Sequence, residues 1–130
     1  MARTFVDTSA IYALIDRDDA NHAAARAAFG RLRKLHAEPV ITNFIVAEGH
    51  ALLLGRLGPK VARQWITQIV WHIERVTAED EEAAVEILCA HTDKSYSYTD
   101  AVSFAVMKRL HIGRAVAFDR HFTQFGYETV

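Results

Sequence analysis

The chain has 130 residues, of which 51% are hydrophobic and 24% charged, with a formal net charge of −1. This describes a single soluble globular domain over 1–130 with a real core, and it excludes a chain that attracts polyanions by bulk charge, so any such partner must be met by a local patch. One cysteine excludes an internal disulfide and a cysteine-based metal site, no apolar run approaches the ~20 residues of a membrane span, and the N-terminus lacks a cleavable apolar segment, so the chain reads as cytoplasmic and without a membrane partner.

Residues 3–7 form a short predicted strand with the β-formers Thr4, Phe5 and Val6. Thr8 or Ser9 then caps a helix reaching about Arg17. An Ala- and Arg-rich stretch predicts a second helix over 19–36, which Pro39 separates from a strand at 40–42. Asn43 is the expected N-cap of the next helix, stopped at Gly58-Pro59. Residues 60–72 read as a helix and 73–76 as a weak strand. Thr77 caps a helix over 78–91 whose early acids suit the positive N-terminal dipole, and Cys89 is expected inside its apolar pattern as a buried structural cysteine. A loop at 92–97 leads to a helix over 98–112 closed by Gly113. A strand at 114–118, a turn or short helix at 119–125 and a last strand at 127–130 complete the chain. Strands alternating with helices predict an α/β fold with a mainly parallel sheet and helices on both faces.

Four acids stand where such a fold concentrates chemistry. Asp7 and Asp119 each follow a predicted strand, which places them at the carboxyl edge of a parallel sheet, where open α/β sheets build their sites. Glu48 has the apolar residues Phe44, Ile45, Ala51 and Leu52 three and four positions away, so a glutamate is expected on the buried stripe of a helix leaving that same edge. The helix starting near Asp100 feeds the strand at 114–118 through a tight turn, so its N-terminus must return to the carboxyl edge too. Taken singly, Asp7 could cap a helix or accept in an Asx turn, Asp100 could complement a helix dipole, Asp119 could start a turn and Glu48 could pair with an interior arginine. Taken together, four converging carboxylates repel one another and raise each other's pKa values, and unpaired buried anions cost several kcal/mol each. A hard divalent cation resolves this, and an all-oxygen ligand set suits Mg²⁺ or Mn²⁺ rather than zinc.

The segments FVDTSAIYALI, ITNFIVAEGHALL, SYTDAVSFAVM and AFDRHF resemble, in order and spacing, the motifs of PIN-domain ribonucleases, most closely the toxins of VapBC-type toxin–antitoxin pairs. The resemblance covers nearly the whole chain. It implies a three-layer α/β/α sandwich with a short, mainly parallel central sheet, and Mg²⁺- or Mn²⁺-dependent endonucleolytic cleavage of RNA. It puts Asp7, Glu48, Asp100 and Asp119 on the family's acidic, metal-holding positions. Ser9 falls on the hydroxyl that helps hold the metal or its water, and Thr99 on a further polar position of the pocket. It also implies a homodimer silenced by a small antitoxin whose tail enters the acidic groove. Two residues depart from the pattern. Ala117 replaces a frequent Thr or Ser, and His121 stands where an acid is common; His121 reads as a surface residue beside a packing Phe122, or as a phosphate contact when protonated.

Two other classes compete. A receiver-like phosphoacceptor domain would share the size and an acidic carboxyl edge, but it needs an acid pair after the first strand and a lysine after a late one, and neither is present. A non-catalytic binding module of the same fold could use an apolar face carrying Trp65, Ile69 and His72; the full set of acids argues against it.

Overall fold

The structure, a computed structural model, describes residues 2–130. In chain order the elements are β1 (Arg3–Val6), α1 (Thr8–Ile15), α2 (His22–Lys34), β2 (Glu38–Thr42), α3 (Asn43–Leu57), α4 (Pro59–Thr67), β3 (His72–Glu74), α5 (Ala78–Ala90), α6 (Tyr98–Arg109), β4 (Arg114–Val116), α7 (His121–Phe125) and β5 (Glu128–Thr129).

All four strand pairings are parallel, in the order β3-β2-β1-β4-β5. The first two crossovers step one way from β1 and the last two step the other way. Right-handed connections therefore lay α1–α4 on one face of the sheet and α5–α7 on the other, giving three layers. The direction of winding reverses between β1 and β4, and that crevice at the strands' carboxyl ends is where a doubly wound sheet accepts ligands. A receiver-like sheet orders its strands 2-1-3-4-5, so this topology is a different one. The core fills both sides of the sheet, with Phe5, Val40, Ile41, Ile45, Phe104, Met107, Val116 and Phe122 buried. Among the described residues no helix is long and apolar enough to cross a membrane.

Several local expectations are corrected, each for a physical reason. Asp7, not Thr8 or Ser9, is the N-cap of α1, and the Thr8 hydroxyl is buried without a partner. Thr42 caps α3, which frees the Asn43 side chain to accept the Val76 N–H at 2.9 Å and tie α3 to the end of β3. Pro39 lies inside β2. The Glu38 N–H donates to Ala2, so the Pro39 nitrogen faces the other side, where pairing with β3 begins only at Val40, and no ladder bond is lost. The helix expected to reach 72 stops at Thr67, whose hydroxyl bonds back to the Arg63 carbonyl at 2.7 Å just before β-branched Ile69 and Val70. His72 therefore sits exposed on β3, away from the face of Trp65 and Ile69. Cys89 is exposed, because the inner line of α5 runs through Asp80 and Ala84 and a residue five further on lies on the outer side.

An ion pair between a buried aspartate and a partly exposed arginine joins α5 to α6. Asp80 closes a capping box with Thr77 and receives the Arg109 guanidinium at 2.9 Å, while Arg109 also reaches Glu74 at 3.0 Å. Burial alone would raise the Asp80 pKa, but Arg109 and the Thr77 bonds hold it below the ordinary carboxylate value. Arg109 is thus a structural cation here, not the solvated charge its basic neighbourhood suggests.

Candidate active site

The chain leaves β1 at Val6 and must turn sharply into α1. Asp7 makes that turn: its backbone N–H continues the sheet by donating to Val116 at 3.0 Å. Its Oδ2 accepts the Ser9 N–H at 3.2 Å and the Ser9 hydroxyl at 2.7 Å. The Ser9 hydroxyl in turn accepts the Phe118 N–H at 3.0 Å. Ser9 therefore braces Asp7 against the chain leaving β4, in the crevice where the winding reverses.

Asp100 arrives from the other face. It is the third residue of α6 and closes a capping box with Ser97: its N–H donates to the Ser97 hydroxyl at 3.0 Å and its Oδ2 accepts the Ser97 N–H at 3.0 Å. Asp119 follows β4, and its Oδ1 accepts the N–H of His121 at 3.0 Å, an Asx turn that starts α7. The His121 ring then folds back onto Asp100, with Nδ1 2.7 Å from Oδ2. One ligand-type atom each from Asp100, Asp119 and His121 lie within 4.8 Å of one another.

One regularity links the three aspartates. Each uses a single oxygen to hold its local turn: Oδ2 in Asp7, Oδ2 in Asp100 and Oδ1 in Asp119. The other oxygen of each makes no hydrogen bond among the described residues, and none of the three is sealed from solvent. The capping reading and the metal reading of these acids are therefore not alternatives, since one oxygen can serve each.

The electrostatics are unbalanced. Asp7 is 4% exposed. Its burial, reinforced by the charges of Asp119 and Asp100, raises its pKa to about 7 against the lowering effect of the Ser9 bonds. Among the described residues no lysine, arginine or histidine forms an ion pair with Asp7, and the Asp100 contact is to His121 alone. The crevice holds more negative charge than the chain itself neutralises.

Not every predicted residue joins the group. Glu48 lies in the second turn of α3 but is half-buried, one step round from the inner stripe of Ile45, Gly49 and Leu53. Among the described residues its side chain makes no hydrogen bond or ion pair and is absent from the tight group. The expected burial of its helix face is only partial, because Trp65 packs against Gly49: a Cβ there would fall 2.9 Å from the indole. α4 thus covers the Gly49 side of α3 and leaves the Glu48 side partly open. Thr99 is half-buried with no side-chain hydrogen bond among the described residues. His121, which the sequence offers as a surface residue or a phosphate contact, is half-buried and touches the acidic group through Asp100. The only sequence signal was its two-residue spacing from Asp119, the spacing an Asx turn closes.

Comparison with known proteins agrees with this geometry. Residues 4–126 match the PIN domain. The 23S rRNA-specific endonuclease VapC20 of Mycobacterium tuberculosis, matched from two strains, is 38% identical over 130 residues, covering 97% of this chain and 96% of the relative. The crystal structure of VapC20, described as a Sarcin-Ricin loop cleaving toxin, superposes with a TM-score of 0.85 at 36% identity over 95% of both chains. FitAcB from Neisseria gonorrhoeae shares the fold, with a TM-score of 0.69 at 17% identity over 97% of this chain and 95% of its own.

Proposed function

The chain belongs to the PIN-domain family, and on that premise we propose that it is a divalent-metal-dependent endoribonuclease, the toxin of a toxin–antitoxin pair, with ribosomal RNA as its substrate class. One observation carries the metal-dependent part: three aspartates from both layers of helices meet at the reversal of the sheet, each with one oxygen unbonded and without a lysine or arginine partner among the described residues. Three free carboxylate oxygens are the donor set that Mg²⁺ or Mn²⁺ takes, so the residues fit the ion. Asp7, Asp100 and Asp119 would hold it, with Glu48 reaching from α3 through water. When bound, such an ion acidifies water and offsets the charge that develops on a phosphodiester.

The chain's own groups supply alignment. Ser9 fixes the Asp7 carboxylate, Ser97 fixes Asp100 and the turn at 119–121 fixes Asp119, so the free oxygens are preorganised. No side chain need act as nucleophile, and hydrolysis leaves a 5′-phosphate and a 3′-hydroxyl. The acidic crevice repels RNA, so basic side chains outside it must bring the backbone in. Binding should then weaken steeply with salt. Homodimer assembly and an antitoxin tail entering the acidic groove belong to the same proposal.

The reaction is tested on intact ribosomes and naked 23S rRNA with Mg²⁺ or Mn²⁺, mapping 5′-phosphate ends. A discrete cut in the sarcin–ricin loop, stopped by EDTA and by Asp100→Asn, is the expected result. Cleavage that persists in either condition would refute the metal-dependent reading, and metal-dependent cleavage of other RNA alone would refute the substrate class.

A further inference from the structure

The tight group at the carboxyl edge is not all oxygen. His121 is held as firmly as the aspartates around it. Its Nδ1 sits 2.7 Å from Asp100 Oδ2, its backbone N–H is committed to Asp119 at 3.0 Å, and its ring lies edge-on to Tyr96 with centroids 5.5 Å apart at 83°. Tyr96 is itself fixed between Phe104 and Phe125. The imidazole is therefore a buttressed group, and its side chain is only 22% exposed. A freely rotating surface histidine would show none of these contacts.

The separations suit a shared ion. Two neighbouring ligands of one first-row divalent ion, at bonds of ~2.1 Å and right angles, lie about 3 Å apart, and Asp100 keeps Oδ1 unbonded among the described residues for such a role while its Oδ2 receives the ring and the Ser97 N–H. One ligand-type atom each of Asp100, Asp119 and His121 lie within 4.8 Å of one another, near enough to hold one ion. A histidine outside the ion's own ligand set can instead orient a ligating carboxylate through a hydrogen bond, and experiment separates the two roles.

We propose that His121 supplies an imidazole nitrogen to the ion held by Asp100 and Asp119, and that this donor makes the site prefer Mn²⁺ over Mg²⁺. The assignment presupposes the metal-dependent reading of the same site. A nitrogen ligand favours the transition ion because imidazole binds Mg²⁺ poorly, whereas first-row transition ions accept it. Exchanging His121 for a carboxylate would return the site to an all-oxygen set.

The test uses tag-free protein and two measurements that do not depend on turnover. Calorimetric titration with Mn²⁺ and with Mg²⁺ compares wild type with His121→Ala and His121→Asp. Electron spin-echo modulation of the Mn²⁺-loaded proteins reads nitrogen coupling directly. Wild type should show ¹⁴N modulation that both variants lose. His121→Ala should weaken Mn²⁺ on the order of tenfold and Mg²⁺ much less, while His121→Asp should bind the two ions nearly equally. Circular dichroism checks that both variants fold, and wild-type modulation decides the question even if they do not. Absence of ¹⁴N modulation in wild type, or equal losses for both ions in His121→Ala, would overturn the proposal and leave His121 as a positioning residue for Asp100. Wild type that cleaves RNA with Mg²⁺ and lacks the nitrogen signal would sink this inference alone; wild type that binds neither ion would sink the metal-dependent reading with it.

Discussion

Asp7 and Asp80 are both buried aspartates at the start of a helix, and the protein treats them in opposite ways. Asp80 lies at the α5–α6 contact with Arg109 at 2.9 Å, and its pKa is held low. Asp7 lies at the sheet's reversal with two other aspartates near it and no basic partner among the described residues, and its pKa is raised to about 7. Both carboxylates satisfy local backbone, so capping does not distinguish them. The counter-charge does. Where the fold needs a buried anion for its own cohesion, it supplies the cation from within. At the crevice no lysine or arginine pairs with the aspartates among the described residues and only His121 touches Asp100, which is the pattern expected of a site that takes its cation from solution.

That contrast can be broken at either end. The largest effect should follow Asp100→Asn, which keeps a capping side chain but removes a charge from the crevice. RNA cleavage should fall at least about a hundredfold with the circular dichroism spectrum unchanged. A variant that cuts normally would show the crevice charge to be incidental.

Asp7→Asn should be next, and its sign is the informative part. The folded state holds the Asp7 proton to about pH 7 against an ordinary value of 3.8. The folded form therefore binds this proton more tightly than the unfolded chain. Its contribution to stability is complete below about pH 4 and is lost as pH rises to about 7. Without divalent ions, Asp7→Asn should be more stable than wild type at pH 8, by up to about 4 kcal/mol, with little difference at pH 4. Chemical denaturation at the two pH values measures it; an Asn variant less stable at pH 8 would remove the raised Asp7 pKa from the account.

Arg109→Met should do the reverse, costing about 2 kcal/mol because Asp80 is left buried and unpaired. Arg109 is one-third exposed, which keeps the loss below that of a fully buried pair, and the variant should still cleave RNA once folded. Ser9→Ala sharpens the contrast least. It removes one bond to Asp7 and one from Phe118, for about 1 kcal/mol and a modest loss of rate.

Much of this was legible in the sequence, for reasons that separate cleanly. The β-formers of β1, the stop at Gly58-Pro59 and the Thr77 helix start are local signals, and the fold obeys them. Asp7, Asp100 and Asp119 were placed by topology alone, because the end of a parallel strand and the start of the helix before the next one must share an edge. Glu48 was over-read: apolar neighbours three and four residues away suggested a buried face, but Gly49 is what receives Trp65, and that packing choice lies 16 positions along the chain. The Asp80–Arg109 pair spans 29 residues and the His121–Asp100 contact 21; neither leaves a trace in local pattern. What stayed hidden in the sequence was which charges meet.

The most direct test of the central claim is the melting temperature at pH 8 with and without Mg²⁺ or Mn²⁺, for wild type, Asp7→Asn, Asp100→Asn and Arg109→Met. An ion that binds only the folded crevice must stabilise it. Wild type and Arg109→Met should rise on adding the ion, while the two crevice variants should not. An equal rise in all four proteins, or none in wild type, would contradict the claim that the crevice takes its missing cation from solution.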